Sequence, residues 1–183
     1  MPRRLLGVVL TLALCSWGGS CEQGGVEYQL VWEDNFDGAP GQRPDPTRWR
    51  FDIGTDWGNA QLEYDTDRPE NVALDGAGHL RITARRESYQ GREYTSGRIN
   101  TSGLFSHAYG RFEARIRLPE GQGIWPAFWL LGANFSSVGW PECGEIDILE
   151  YRGQNPQQLI ASIHGPGYSG GNAIGGTFNT DVP

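Results

Sequence analysis

The sequence predicts an all-β protein, a sandwich of short antiparallel strands. Apolar and polar residues alternate in several segments, as they do along strands with one buried face. Turn residues, mainly Gly and Pro, separate these segments at short intervals, and no segment keeps a helical period for several turns. The chain has 183 residues, which corresponds to one domain and is enough to form a core.

The first part of the chain supplies three predicted strand regions in order. Residues 28–36, YQLVWEDNF, alternate and are followed by a loop, DGAPGQRPDP. Residues 71–86, NVALDGAGHLRITARR, predict a hairpin that turns at Asp75-Gly76-Ala77-Gly78. Residues 109–119, YGRFEARIRLP, alternate again and end at Pro119.

A tryptophan-rich stretch comes next, at residues 121–131, GQGIWPAFWLL. Trp125 and Trp129 would share one face of a strand, and Pro126 between them indicates an edge or a bend. Such a pair either packs in the core or forms a surface on which sugar rings stack. The second alternative is available because indole faces stack on the C–H faces of pyranose rings. Trp140, further along the chain, leaves the same two alternatives open.

Residues 144–151, GEIDILEY, place three acids among apolar, largely β-branched residues. On a helix Glu145 and Glu150 would point about 140° apart. A strand therefore accommodates these residues better than a helix does. On a regular strand Glu145 and Asp147 point one way and Glu150 the other. A single extra residue near Ile148 and Leu149, a β-bulge, would bring all three acids to one side. We therefore expect a bulge there.

With that bulge, Glu145 and Glu150 lie roughly 13 Å apart at Cα, at about 3.3 Å per strand step. Long side chains that lean inward close most of this gap. Retaining glycosidases hold their two carboxyl groups about 5–5.5 Å apart, so the spacing favours retention over inversion. Asp147 between them would raise the proton affinity of at least one neighbour. The alternative is that these acids are only the solvated face of a sheet.

The N-terminus has the features of an export signal. Met1-Pro2-Arg3-Arg4 is positively charged, an apolar run covers residues 5–14, and small residues follow at 16–20. The apolar run is far shorter than the ~20 residues of a membrane span. We expect residues 1–25 to be a secretory signal and the protein to be extracellular, or a surface lipoprotein with a lipid anchor at Cys21.

Composition excludes several classes of partner and cofactor. The formal net charge is −7 and the basic residues are scattered arginines, so no nucleic-acid-binding patch is expected. The negative net charge fits a neutral polymeric substrate better than an anionic one. The three cysteines form no disulfide framework, and Cys143 is expected to be a packing residue. Neither cysteine spacing nor histidine content indicates a zinc site, so no metal site is assigned.

The tryptophan-rich and acidic stretches together resemble glycoside hydrolase family 16, in particular its laminarinase-type endo-1,3-β-glucanases. GIWPAFWLLG and VGWPECGEID precede the Glu-x-Asp-x-x-Glu signature of GEIDILEY. The resemblance continues through LVWEDNFDG, WGNAQLEYDTDRPENV, TSGRINTSGLFSHAYGRFEARIRLP and IHGPGYSGG, and it covers nearly all of residues 28–178.

The resemblance implies a jelly-roll sandwich of two antiparallel sheets with a concave substrate cleft. It implies that Glu145 is the nucleophile, Glu150 the acid/base and Asp147 the residue that modulates the nucleophile. Residues that it places at the sugar are Arg98, Trp125, Trp129, His164 and, more weakly, Asn71, which alternatively satisfies a turn. We add Trp140 to this set because it directly precedes the acid strand. The substrate would be a β-glucan, 1,3-linked or mixed 1,3/1,4-linked, and the chemistry requires no cofactor.

The same resemblance implies that residues 26–183 form a catalytic domain whose C-terminal strands are missing. Family members often bind a structural calcium with groups from both chain ends, so calcium is possible only in the full-length fold. Two alternatives stay open. The chain is a non-catalytic β-glucan-binding fragment, or it has the same fold and acts on a galactan such as agarose or carrageenan.

Overall fold

The computed structural model describes residues 27–180, which are nearly all β, as the sequence predicts. Helical structure within this range is limited to one short α-helix, α1 (Phe135–Val138), and a 3-10 turn at Gly170–Asn172. No helix in the described part of the chain has the length and apolar character needed to cross a bilayer. The predicted secretory signal at residues 1–25 and the possible lipid anchor at Cys21 lie outside the described residues.

The described chain forms two compact units, an N-terminal unit (Gln29–Ala108) and a C-terminal unit that contains the residues from Tyr109 onward together with residues 27–28. The strands of the N-terminal unit are β1 (Arg50–Asp52), β2 (Glu63–Asp65), β3 (Val72–Leu74), β4 (Leu80–Ile82), β5 (Arg85–Tyr89), β6 (Arg92–Ser96) and β7 (Arg98–Asn100). They form a β1–β7 pair, a β3–β4 pair and a three-stranded sheet in the order β2-β6-β5. All these pairs are antiparallel except β2–β6.

The predicted hairpin is the β3–β4 pair, in which Val72 pairs with Ile82 and Leu74 with Leu80. Asp75 closes its turn because its Oδ1 accepts hydrogen bonds from the backbone N–H groups of Ala77 and His79. The turn prediction is therefore confirmed. The whole of β3 is buried and belongs to the core of this unit.

The strands of the C-terminal unit are β8 (Ala127–Leu131), β9 (Glu145–Tyr151), β10 (Gln158–His164) and β11 (Ile174–Asn179). They form a four-stranded antiparallel sheet in the order β11-β10-β9-β8. Pro126 lies directly before β8, which is an edge strand of this sheet within residues 27–180, as the sequence indicated. Leu149 and Tyr151 of β9 are buried and contribute to the apolar core.

The β-bulge predicted in the acid strand is present. Phe128 of β8 pairs with Leu149, but the next residue, Trp129, pairs with Asp147, so Ile148 is the extra residue. The ladder to β10 shifts at the same place, between Ile160 and Ser162. Both neighbours of β9 thus show the irregularity that resets the side-chain alternation between Asp147 and Glu150.

The predicted strands at residues 28–36 and 109–119 are not formed, although both segments are described. Along 109–119 the side-chain pattern survives, since Phe112, Ile116 and Leu118 are half-buried between exposed polar residues. A strand also requires a neighbour with which its backbone pairs. Alternation reports which side of a segment is buried, and it carries no information about the pairing partner.

Candidate active site

The bulge in β9 places Glu145, Asp147 and Glu150 on one face of the sheet of the C-terminal unit. Neighbouring strands add two polar residues to this face: on β10, Ser162 lies opposite Asp147 and His164 opposite Glu145. On β8, Trp129 lies opposite Asp147. Directly opposed residues of antiparallel strands share a face. The acids are therefore surrounded by hydrogen-bonding and aromatic side chains.

Asp147 is the buried centre of this cluster, with 5% of its surface exposed. Its Oδ2 accepts a hydrogen bond from Ser162 Oγ at 2.7 Å and lies 2.9 Å from His164 Nε2. The backbone N–H of Gly170 donates to His164 Nδ1 at 3.1 Å, so that nitrogen is the acceptor. The proton of the neutral imidazole is then on Nε2, which donates to Asp147. Two donors thus converge on one oxygen of Asp147.

Glu145 holds its proton more tightly than an ordinary glutamate. Partial burial, the negative charge of Asp147 and a hydrogen bond to the Asp147 side chain raise the pKa of Glu145 to about 7. A hydrogen bond with the side chain of Trp140 opposes this shift, as does His164 whenever its imidazole is protonated. Below about pH 7 Glu145 therefore carries a proton.

The pKa of Glu150 is also raised, first by partial burial and then by the negative charge of Asp147. Trp125 Nε1 donates a hydrogen bond to Glu150 Oε1 at 3.0 Å and opposes the shift. The positive charge of Arg152 also opposes the shift, as does His164 whenever its imidazole is protonated. Burial and the like charge are the larger causes, so Glu150 retains its proton to a higher pH than an exposed glutamate.

Each glutamate thus carries one indole partner, and both indoles remain accessible. Trp125 is 42% exposed and Trp140 is 43% exposed, so neither is a core residue. The ring of Trp140 is tilted at 49° to that of His164, with 5.9 Å between the ring centroids. Trp129 is half-buried. The exposed parts of Trp125 and Trp140 are therefore accessible to a ligand.

Arg98 and Asn71 lie in the N-terminal unit. Arg98 Nε is 2.8 Å from Asp52 Oδ2, and its guanidinium lies 5.3 Å from the centre of the Trp57 ring. Asn71 has no exposed surface. The substrate contact considered for Asn71 is therefore not supported.

Asn71 instead completes a buried polar network. Its Nδ2 donates to the carbonyl of Thr83 and to Thr95 Oγ1, and its Oδ1 accepts from Thr66 Oγ1 and from Arg68. Every donor and acceptor of the amide is occupied. This is the role of the alternative interpretation, in which Asn71 satisfies local structure.

Three residues of the site were missed by the sequence reasoning: Ser162, Gly170 and Arg152. Ser162 and His164 carried a usable signal, because they are polar at a spacing of two in an otherwise apolar strand. Arg152 follows Glu150 at the same spacing. Gly170 acts through its backbone and has no side-chain signal.

Glu145, Asp147 and His164 also offer atoms within 4.8 Å of one another, the spacing of a cation site. The donor set does not fit a metal. A ligating imidazole must present a lone pair, and His164 Nε2 carries the proton that it donates to Asp147. The cluster is therefore suited to holding and moving protons.

Comparisons with known proteins identify the family of this chain. Residues 54–181 match the model of the family described as glycosyl hydrolases family 16. The chain is 44% identical over 174 residues to a beta-glucanase of Rhodothermus marinus, covering 92% of this chain and 60% of that protein. It is 39% identical over 180 residues to a glucan endo-1,3-beta-glucosidase of Cryptopygus antarcticus, covering 95% of this chain and 62% of that protein.

The solved laminarinase of Rhodothermus marinus superposes with a TM-score of 0.80 at 46% identity, over 85% of this chain and 63% of that one. The all-β jelly-roll class predicted from the sequence is thereby confirmed. The chain spans less than two thirds of the length of these relatives. With a family match that covers most of the chain, this protein belongs to glycosyl hydrolases family 16.

Proposed function

We propose that the protein is a retaining endo-glucanase that hydrolyses 1,3-β or mixed 1,3/1,4-β glucosidic bonds in a polysaccharide. The observation that carries this proposal is the bulge at Ile148, which brings Glu145, Asp147 and Glu150 to one face. The relatives described above are named for β-glucan and 1,3-β-glucoside hydrolysis, which supports the choice of polymer.

In the proposed reaction the Glu145 carboxylate attacks the anomeric carbon and forms a covalent glycosyl-enzyme. Glu150 donates its proton to the glycosidic oxygen, so the leaving sugar departs as an alcohol. Glu150, now ionised, takes a proton from a water molecule, which attacks the same carbon and releases Glu145. Two inversions give net retention, and no cofactor takes part.

The proposed roles require different protonation states of the two glutamates. Attack requires an ionised Glu145, whose pKa is about 7. Proton donation requires a protonated Glu150, whose pKa is raised first by burial and then by the negative charge of Asp147. The assignment of nucleophile and acid therefore rests on the placement of the two carboxyl groups and on the relatives, and the Glu145→Gln variant tests it.

The aromatic and polar side chains around the acids fit the substrate. Trp125 and Trp140 offer half-exposed indoles for pyranose C–H faces, and we assign the half-buried Trp129 to the same apolar lining. We retain His164 near the acids and Arg98 as sugar contacts.

The test is reducing-sugar release from soluble 1,3-β-glucan by the wild-type chain and by Glu145→Gln. We expect turnover by the wild type and loss of at least 1,000-fold in the variant, as for removal of a nucleophile that acts with its partner residues. Glu120→Gln, at an exposed position, is the matched control and should retain wild-type activity. Equal activity in the wild type and Glu145→Gln would exclude the nucleophile assignment.

A substrate panel decides between the alternatives. Release from β-glucan but not from agarose or carrageenan supports the glucanase, whereas the reverse pattern supports a galactanase of the same fold. Binding to β-glucan without turnover by the wild type supports a non-catalytic binding fragment. Retention itself is read from the anomer formed first, by proton NMR during hydrolysis.

We also propose that the protein is exported. The charged and apolar residues at positions 1–14 support secretion, and Cys21 supports a lipid anchor as the alternative. Mass measurement of the mature protein separates them, because a processed free N-terminus indicates secretion and added acyl mass at Cys21 indicates a lipoprotein.

A further inference from the structure

Arg152 follows the acid strand and lies over the indole of Trp125, with the guanidinium carbon 4.7 Å from the ring centre. The same indole donates its N–H to Glu150 at 3.0 Å. Arg152 and Glu150 are two residues apart on one extended segment, so their side chains leave the same side of the chain. Arginine, indole and carboxyl form a continuous row of contacts.

Two backbone hydrogen bonds join the segment of Arg152 to the segment of Trp125. Tyr151 N–H donates to the carbonyl of Pro126 at 3.1 Å, and Gly153 N–H donates to that of Ile124 at 2.9 Å. These two bonds bracket Arg152 on one segment and Trp125 on the other, so the two side chains are cross-strand neighbours.

Gly153, which has no side chain, allows its segment to approach the segment of Gly121 closely. A Cβ built on Gly153 would lie 1.7 Å from the carbonyl oxygen of Gly121. The segment that carries Arg152 therefore packs directly on the segment that leads into Trp125. The stacked pair rests on two backbones that are in contact, and it does not depend on a mobile surface arginine.

We propose that Arg152 is a positioning residue, which holds the indole of Trp125 so that its N–H stays on Glu150 while the rest of the ring is open to a sugar. The guanidinium covers part of one ring face, yet 42% of Trp125 remains exposed. Its positive charge also acts on Glu150. The catalytic role of Glu150 in this inference rests on the proposed function, whereas the contact between Arg152, Trp125 and Glu150 does not.

Charged and titratable groups reach Glu150 from each element around it. Asp147 of β9 raises its pKa, while His164 of β10, Arg152 after β9 and the indole of Trp125 before β8 lower it. The residues paired directly with Glu150, Ala127 on β8 and Ile160 on β10, are uncharged. Removal of Arg152 therefore leaves Asp147 less opposed, and Glu150 will hold its proton to a higher pH.

The indole N–H of Trp125 gives a readout that needs no activity. In a ¹⁵N–¹H spectrum of the whole chain, the Trp125 signal is assigned as the one lost in Trp125→Phe. Because this N–H donates to Glu150, its chemical shift follows the ionisation of that carboxyl. We expect Arg152→Met, which keeps an apolar stem of similar length, to move the titration midpoint to higher pH and to broaden the signal.

Arg152→Lys, which keeps a cation, should restore most of the wild-type midpoint, and Arg81→Met, at an exposed arginine of the N-terminal unit, should leave it unchanged. An unchanged midpoint and line width in Arg152→Met would overturn the proposal. If β-glucan is hydrolysed, the alkaline limb of kcat/KM should move to higher pH in Arg152→Met. If no glucan is hydrolysed but the midpoint moves, the positioning role stands and the proposed function fails.

Discussion

Asp147 accepts hydrogen bonds from Ser162 and His164, and its negative charge raises the pKa of both neighbouring glutamates. The imidazole takes part as a neutral donor, because Gly170 N–H occupies its other nitrogen. At the scale of single residues, the site is therefore a proton-holding cluster in which partial burial, together with the negative charge of Asp147, raises the proton affinity of the two glutamates.

The raised pKa of Glu145 makes it a residue that opposes folding at high pH. The folded pKa is about 7 against a usual value of 4.5, so the carboxyl's contribution to stability is fully present below pH 4.5 and lost as pH rises to about 7. Glu145→Gln, whose amide still donates to Asp147, should stabilise the protein at pH 8. Allowing for its partial exposure, we expect roughly 1 kcal/mol, a few degrees in melting temperature.

Thermal unfolding of wild type and Glu145→Gln at pH 8 and pH 4.5 measures this difference. The gain in melting temperature should be clear at pH 8 and nearly absent at pH 4.5. Glu120→Gln, at an exposed position, should show no comparable dependence on pH. A gain of equal size at both pH values would contradict the raised pKa.

Asp147→Asn removes the negative charge that raises the pKa of Glu145. Glu145 should then ionise at lower pH, and the acid limb of kcat/KM on soluble β-glucan should move to lower pH. The displacement will be less than the full distance from 7 to 4.5, because burial is the largest cause of the raised pKa and remains in the variant. An acid limb that stays in place, or moves to higher pH, would show that Asp147 does not act through its charge.

At the scale of elements, β9 shows how one extra residue creates the site. Without the irregularity at Ile148, Glu150 would share a face with Ile146, and the buried Tyr151 would take the side of Asp147. The bulge keeps Leu149 and Tyr151 in the core while Glu150 joins the other acids. Hydrophobic burial and the chemistry of the site are both satisfied only by this register.

The contact between Gly153 and Gly121 gives a test at this scale. Gly153→Ala would place a methyl group 1.7 Å from a backbone oxygen, so the two segments must separate. We expect a loss of about 1–3 kcal/mol in the free energy of unfolding and a weaker Trp125–Glu150 contact. Gly176→Ala in β11, where a Cβ meets nothing within 4 Å, is the matched control.

Urea denaturation of the two glycine variants measures the loss in the free energy of unfolding. The pH profile of hydrolysis reports on the contact between Trp125 and Glu150. Gly176→Ala should stay within about 0.5 kcal/mol of the wild type. Equal stability of both variants would mean that the segments around Gly121 and Gly153 are not in firm contact.

At the scale of the whole molecule, the net charge of −7 favours a neutral polymer. Raising the salt concentration from about 0.01 M to 1 M shortens the Debye length from ~30 Å to ~3 Å. For neutral β-glucan we expect KM to change less than about twofold over this range, because no charge on the substrate is screened.

Initial rates on soluble β-glucan across the salt series check this expectation, with carrageenan as the charged comparison polymer. A KM for β-glucan that rises or falls steeply with salt would show that charges dominate binding. Turnover of carrageenan that appears only at high salt would show repulsion of an anionic polymer by the protein.

The sequence by itself determined the β class, the hairpin at Asp75 and the bulge in the acid strand. These features depend on local alternation, turn residues and the parity of side chains along one strand, which can be read from neighbouring positions. The three acids and the tryptophans near them were proposed as site residues from the same local patterns, and that assignment stays a prediction.

Only the tertiary structure decided which strands pair and which side chains meet. Alternation at residues 109–119 did not produce a strand, and Asn71 proved to be buried in a polar network. The neutral tautomer of His164 depends on the backbone of Gly170, and the stack of Arg152 on Trp125 depends on pairing between separate segments. Such contacts join residues distant in sequence, and their free energies depend on distances and burial that only the folded chain defines.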